Sequence, residues 1–263
     1  MRGILSIVRG PQARFCVCLL GLGVGALLTP GFVGQPAHAA APVRAAEFGT
    51  IYAGLHGEVV LDDARYQVER FVLAPGASTG RHSHPADQLL VIIKGGTLKS
   101  IDTGRSTLWK DGRAMWYGAS ETSDAGSTNV GTTPIMMLWV TIKPEPPGVA
   151  SQDYPNGTPK DYHLNYPNVP GEDLFENERV VVQRLTVMPG QWEGPHAHIP
   201  NQLYIEINGG VFTGRTYTKP EFDEGHGRPG DAGFMPTFDS SVGHESRNSG
   251  KEPIEMVWVT LKD

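Results

Sequence analysis

The sequence predicts an all-β protein made of two tandem antiparallel barrels or sandwiches. Three observations lead there. The chain holds 33 glycines and 21 prolines in 263 residues, roughly a fifth against a typical share of about 12%, which disfavours helices and favours short strands joined by turns. Short apolar runs are punctuated by Gly, Pro, Asn and Asp, and beyond the N-terminal segment no stretch longer than a few turns has helical periodicity. The third observation is that the chain states its pattern twice.

The repeat is explicit. Arg70-Phe71-Val72-Leu73-Ala74-Pro75-Gly76 reads against Arg184-Leu185-Thr186-Val187-Met188-Pro189-Gly190, 114 positions later. At that offset His82-Ser83-His84 meets His196-Ala197-His198, Gln88 meets Gln202, and Gly95-Gly96 meets Gly209-Gly210. Further on the offset is 119, where Asn129 meets Asn248 and Leu138-Trp139-Val140-Thr141 meets Val257-Trp258-Val259-Thr260. Copy two therefore carries about five extra residues, assigned to the polar stretch Thr218–Glu224 as a hairpin loop. Gln88 to Lys94 and Gln202 to Asn208 read as strands, and Ile135 to Ile142 and Ile254 to Leu261 as buried strands. The expected organisation is 1–39 signal peptide, 47–143 first barrel, 144–175 Pro-rich linker and 176–263 second barrel.

Charge excludes one class of function. A formal charge of −6 with no basic block makes a poor nucleic-acid binder, because that affinity comes mostly from neutralising phosphates. The N-terminus has the three parts of an export signal. Arg2, Arg9 and Arg14 precede the apolar run Phe15 to Leu28, and Ala37-His38-Ala39 forms a small-residue cleavage site. The run is shorter than the roughly 20 apolar residues a membrane span needs, and no Arg-Arg pair marks a twin-arginine signal. A cleavable Sec-type signal and a periplasmic or secreted location are expected, with no membrane attachment of the mature chain. Cys16 and Cys18 fall in the part removed, so the mature chain would offer no disulfide and no thiolate ligand.

The chemistry-bearing pattern in copy two is Gly190-x5-His196-x-His198-x3-Gln202-x6-Gly209, followed by His244-x3-Asn248. Residues two apart on a strand share a face, so His196 and His198 aim at one point. Gln202 opens the next strand, and His244 arrives from a later one. Three neutral imidazoles and an amide oxygen suit a divalent transition ion with positions left for water or substrate.

This pattern resembles the cupin superfamily, specifically its two-repeat members, the bicupins. The resemblance runs from Glu47 to Asp263. It implies two jelly-roll type β-barrels, each with a metal position in its mouth. Carried over, His196, His198 and His244 fall on ligand positions, and Gln202 replaces the family's usual Glu. The ion would be Mn, Fe, Zn or Ni. An amide in place of a carboxylate leaves the full +2 charge uncompensated, which strengthens the ion as a Lewis acid and makes it harder to oxidise.

Copy one departs further. His82, His84 and Gln88 form a second candidate metal site, but Ala125 stands where copy two has His244, with Asp124 beside it. By alternation, Tyr204 and Glu206 face the same way as Gln202, and their counterparts Leu90 and Ile92 are apolar. Glu206 is thus the candidate general base and Tyr204 the candidate substrate positioner or proton donor. The alternative for Glu206 is an ion pair with Arg184 or Arg215. Trp139 and Trp258 read as core or inter-barrel packing, His226 as a surface residue, and Glu221, Asp223 and Glu224 as a solvated loop tip.

The expected function is a metal-dependent enzyme of lyase or isomerase type acting on a small oxygenated organic molecule. Two other readings stay open: a dioxygenase acting on phenolic or aromatic compounds, and a non-enzymatic periplasmic protein that binds a ligand or metal. A homodimer is also left open, since two barrels in one chain can satisfy between themselves the packing a single barrel finds in a partner.

Overall fold

The computed structural model describes residues 52, 54–144 and 161–262, and the side chains of 121–123 are not described. The expected signal segment 1–39 and much of the linker lie outside them. The described residues are nearly all β, as the turn-rich composition requires.

In the first repeat the strands are β1 (Glu58–Asp62), β2 (Tyr66–Leu73), β3 (His82–His84), β4 (Asp87–Lys94), β5 (Gly96–Ser100), β6 (Ser106–Trp109), β7 (Ala114–Tyr117), β8 (Ser120–Asp124), β9 (Ser127–Asn129) and β10 (Ile135–Ile142). The second repeat has β11 (Glu172–Glu176), β12 (Val180–Val187), β13 (Gln202–Glu206), β14 (Gly210–Arg215), β15 (Phe222–Gly227), β16 (Ala232–Phe234), β17 (Glu245–Asn248) and β18 (Ile254–Leu261). Each repeat has a five-stranded sheet of the same topology, β1-β2-β10-β4-β7 and β11-β12-β18-β13-β16, all pairings antiparallel. The opposing wall is the three-stranded sheet β6-β5-β9 in one repeat and β15-β14-β17 in the other.

The apolar runs are continuous because the central strands are buried on both faces. Along β10, Ile135, Met137 and Trp139 point into the first barrel with Phe71, Leu90 and Leu98. Leu138, Val140 and Ile142 point the other way, into a core shared by both repeats. Val257, Val259 and Leu261 of β18 meet them there, while Met256 and Trp258 line the second barrel. Each fully buried aliphatic side chain contributes about 1.5–3 kcal/mol, so this shared layer holds the two large sheets together. Polar ties reinforce it: the Tyr66 hydroxyl donates to the Asn201 carbonyl at 3.0 Å and Arg184 Nη2 to the Gly112 carbonyl at 3.0 Å. Trp139 and Trp258 belong to the barrel interiors and not to this layer.

The expected linker boundary moves. β11 begins at Glu172 and pairs with β12, and Tyr166 and Val169 are buried in the second barrel's core. Residues 161–175 are therefore part of the second barrel. The repeat extends back with them, since Tyr52 and Tyr166 lie 114 positions apart.

Candidate metal centre

The second barrel assembles its histidines from two backbone bridges. His196 pairs with His244, its amide donating to the His244 carbonyl at 3.0 Å, and His198 pairs with Phe238. The first bridge brings the later strand to the His-x-His segment. Nε2 of His196 lies 2.9 Å from Nε2 of His198, with the rings tilted by 25°. The His244 ring stands edge-on to both, at 5.1 and 5.3 Å between centroids. One nitrogen from each of the three lies within 4.8 Å of the others, and the residues are 3, 1 and 2% exposed.

The chain prepares these rings as neutral ligands. Burial pushes His196 down to about 3 and His244 down to about 4, and it holds His198 well below the ordinary imidazole range. Nδ1 of His196 lies 2.8 Å from the Gly194 carbonyl, which can only accept. The proton therefore sits on Nδ1, and Nε2 carries the lone pair. A cation beside this lone pair would have His198 Nε2 within reach as a second ligand.

Gln202 is the fourth expected ligand. Asn201, the only described non-glycine residue with positive φ (65°), turns the chain immediately before β13. Gln202 is 3% exposed, its Nε2 lies 3.5 Å from Thr260 Oγ1, and its Oε1 has no hydrogen-bond partner. A buried amide oxygen without a partner costs about 1–3 kcal/mol, and a cation held by the histidines would supply one. The residues fit a divalent ion.

Three aromatic side chains enclose the histidines. Tyr166 stacks on His196 at 3.8 Å and places its hydroxyl 3.3 Å from His198 Nε2. Phe238 covers His198 at 4.2 Å and His244 at 4.8 Å. Trp258 lies 6.1 Å from His198, and its indole Nε1 is a buried donor with no partner. Tyr166 was missed in the sequence because it falls in the expected linker. The signal that could have found it is its counterpart Tyr52, which packs on His82 at 4.7 Å.

Three carboxyl groups lie in the same barrel. Glu206 is 3% exposed and pushed up to about 8, first by burial and then by Asp231, and its Oε2 has no partner. Neither expected arginine meets it: Arg215 pairs with Glu245 at 2.6 Å, and Arg184 is 3.7 Å from Glu172. Four residues along β13 from Gln202 is about 13 Å of strand, so Glu206 stands that far along the strand from Gln202, with Tyr204 between. Glycines make the space, since a Cβ at Gly227 would lie 2.7 Å from the Glu206 carboxyl and one at Gly233 2.7 Å from the Tyr204 hydroxyl. Glu193 is likewise raised to about 8, by burial and then by Glu224.

Glu224 corrects the sequence reading. Glu221 and Asp223 are exposed, as a loop tip would be, but the Glu224 side chain is only 14% exposed and its Oε1 lies 3.6 Å from His244 Nδ1. His226 is exposed, as expected.

The first barrel does not bring its candidates together in the same way. Nδ1 of His84 meets Gln88 Oε1 at 2.9 Å, and Gln88 Nε2 donates to Thr141 Oγ1 at 3.0 Å. The amide oxygen that is left open in copy two is occupied here. Trp139 Nε1 is also satisfied, by the Tyr52 hydroxyl at 2.8 Å. Ala125 is buried at the third histidine position, and Asp124 sits opposite His82 on β8. Among the described residues only His196, His198 and His244 form a group of three close metal-ligating side chains.

Two barrels of one topology, each carrying His-x-His and a later Gln at its mouth, match one known architecture. The fold is that of a bicupin. The chain is similar in structure to AerE from Microcystis aeruginosa, with a TM-score of 0.52 and 14% identity over 81% of this chain and 95% of that one. A mutant of Bacillus subtilis oxalate decarboxylase OxdC aligns with a TM-score of 0.48 and 13% identity over 81% of this chain and 77% of that one. A cupin domain from Bordetella pertussis Tohama I covers 36% of this chain and all of its own, with 21% identity and a TM-score of 0.31. No family model matches the sequence, and no curated protein matches it.

Proposed function

We propose that the protein is an exported metal-dependent enzyme of lyase or isomerase type, acting on a small oxygenated organic molecule in its second barrel. His196, His198, His244 and the Gln202 amide oxygen would hold one divalent ion. The observation that carries this reading is the group of three buried imidazoles with one nitrogen each within 4.8 Å of the others, and an unpartnered buried amide oxygen at the start of β13 adds to it. When bound, the ion supplies Lewis-acid polarisation of a substrate oxygen, undiminished by any anionic protein ligand.

The chain supplies the rest. Trp258 offers its indole N–H as a donor to a substrate oxygen, a donor that copy one spends on Tyr52. Tyr204 follows Gln202 on the barrel-facing side of β13 and is the phenol placed to hand over a proton. Burial raises its pKa, so it stays protonated at neutral pH. Glu206 stands behind it as a carboxyl raised to about 8, able to give or take a proton near neutrality. Tyr166, Phe238 and Trp258 keep bulk water from the reacting oxygen.

The test is elemental analysis of the purified mature protein beside His244→Ala, followed by turnover assays of Tyr204→Phe and Glu206→Gln on small hydroxy- and oxo-acids and sugars. One ion per chain, lost in His244→Ala, together with turnover that collapses in the β13 variants at unchanged metal content, supports the proposal. A chain that stays metal-free at saturating ion defeats it.

A further inference from the structure

The hairpin that distinguishes copy two from copy one also carries its least expected side chain. β14 and β15 pair Phe212 with Gly225 and then Thr213 with Asp223, so the register slips by one and Glu224 is left unopposed. Gly225 takes φ of 119°, a conformation suited to glycine. Such a bulge re-aims a side chain that strict alternation would send elsewhere. Here it turns Glu224 inward while Asp223 and His226 stay exposed. Gly214 on the paired strand leaves the room: a Cβ there would lie 2.2 Å from Glu224 Oε1 and 2.3 Å from its Cδ. The carboxylate then lies against His244, 3.6 Å from Nδ1. On the other side of that ring, Nε2 is 3.3 Å from Ser246 Oγ. Glu224 is hydrogen-bonded to the same serine. The first repeat has neither the extra hairpin residues nor the histidine: Ala125 stands there.

We infer that Glu224 is a positioning residue for the metal centre, the bulge in β15 serving to bring its carboxylate against His244 and Ser246 and so fix the orientation of the imidazole that the ion would use. The inference rests on the proposed metal site and deepens it. A carboxylate that supports a ligating imidazole from outside the coordination sphere holds its ring orientation, and loss of such a partner lowers metal affinity by about 10–100-fold. Hairpin insertion and histidine then work as one unit, because the carboxylate has value only where a ligand needs orienting.

The experiment is titration of the metal-free chain with cobalt(II), followed by its visible absorption, for wild type, Glu224→Gln, Glu224→Asp and Gly214→Ala. Gly214→Ala displaces the carboxylate without altering it. The expected result is about 10–100-fold weaker cobalt binding in Glu224→Gln and Gly214→Ala, with changed absorption bands. Metal-free melting temperatures should match wild type, and Glu224→Asp should recover part of the affinity. Wild-type affinity and bands in both Glu224→Gln and Gly214→Ala would overturn the positioning role and leave the metal site standing. No cobalt binding by wild type would overturn the site itself and this role with it. If Glu224→Gln fails to fold, Gly214→Ala decides.

Discussion

Nε2 of His196 and Nε2 of His198 stand 2.9 Å apart with the Tyr166 ring stacked on the first and its hydroxyl 3.3 Å from the second. Tyr166 therefore buttresses both imidazoles from outside the motif that contains them. Tyr166→Ala should lower the affinity for manganese(II) or cobalt(II) at least tenfold while His196 and His198 remain. Tyr166→Phe, which keeps the stacking, should lose less. Isothermal titration of the metal-free chain reads both.

Protons should compete weakly for this site. With His196 held at about 3 and His244 at about 4 by burial, the folded imidazoles stay neutral far below the ordinary value near 6.5. Glu224, raised to about 7 by burial, is removed from the comparison by Glu224→Gln, in which metal affinity should change little between pH 8 and about pH 5 and fall only as the folded imidazole values are approached. Dialysis against chelator-free buffers of decreasing pH, with metal analysis, checks this. Loss of the ion centred near pH 6.5 would contradict it.

Glu206 makes the metal-free chain less stable at alkaline pH. Its folded value of about 8 is raised above the unfolded carboxylate range, so its contribution is fully present below the unfolded pKa near 4.5 and is lost as pH rises through about 8. Melting temperature should fall between pH 6 and 9, and Glu206→Gln should flatten that fall. Identical slopes in the two proteins would place the alkaline loss elsewhere, with Glu193 the next carboxyl to change.

Asn129 and Asn248, both fully buried, clamp equivalent turns. Nδ2 of Asn248 donates to the Val187 and Glu252 carbonyls at 2.8 Å, and its Oδ1 accepts from the Gly250 amide at 2.9 Å. Asn129 makes the same three bonds to Leu73, Thr133 and Gly131. Either Asn→Ala change should cost about 2–4 kcal/mol, since buried partners lose their bonds. In urea melts the two costs should be similar, and Asn129→Ala should leave metal binding unaltered.

Trp258→Phe should leave metal content unchanged and raise KM for a substrate that reaches the centre, because it removes an unpartnered donor and keeps the packing. A metal-poor Trp258→Phe would assign the indole to holding the site.

Much of this was legible in the sequence because it depends on one strand at a time. Alternation places His196 and His198 on one face and aligns Gln202, Tyr204 and Glu206 on another, whatever the neighbouring strands do. The matched offsets pointed to two antiparallel barrels or sandwiches, and Ala125 at the third histidine position already set the first site apart from the second.

Tertiary structure decided what depends on pairing between strands. A one-residue register slip in β15 turned inward a Glu224 that its polar surroundings in sequence had placed in a solvated loop, and no local pattern encodes that slip. Tyr166 joined the site through packing from an apparent linker. Gln88 and Gln202 are the same residue at the same repeat position, yet one amide oxygen is taken by His84 and the other is left open. Sequence selects which groups a strand presents to the barrel. The surrounding side chains determine whether those groups bond to one another or remain available to an ion.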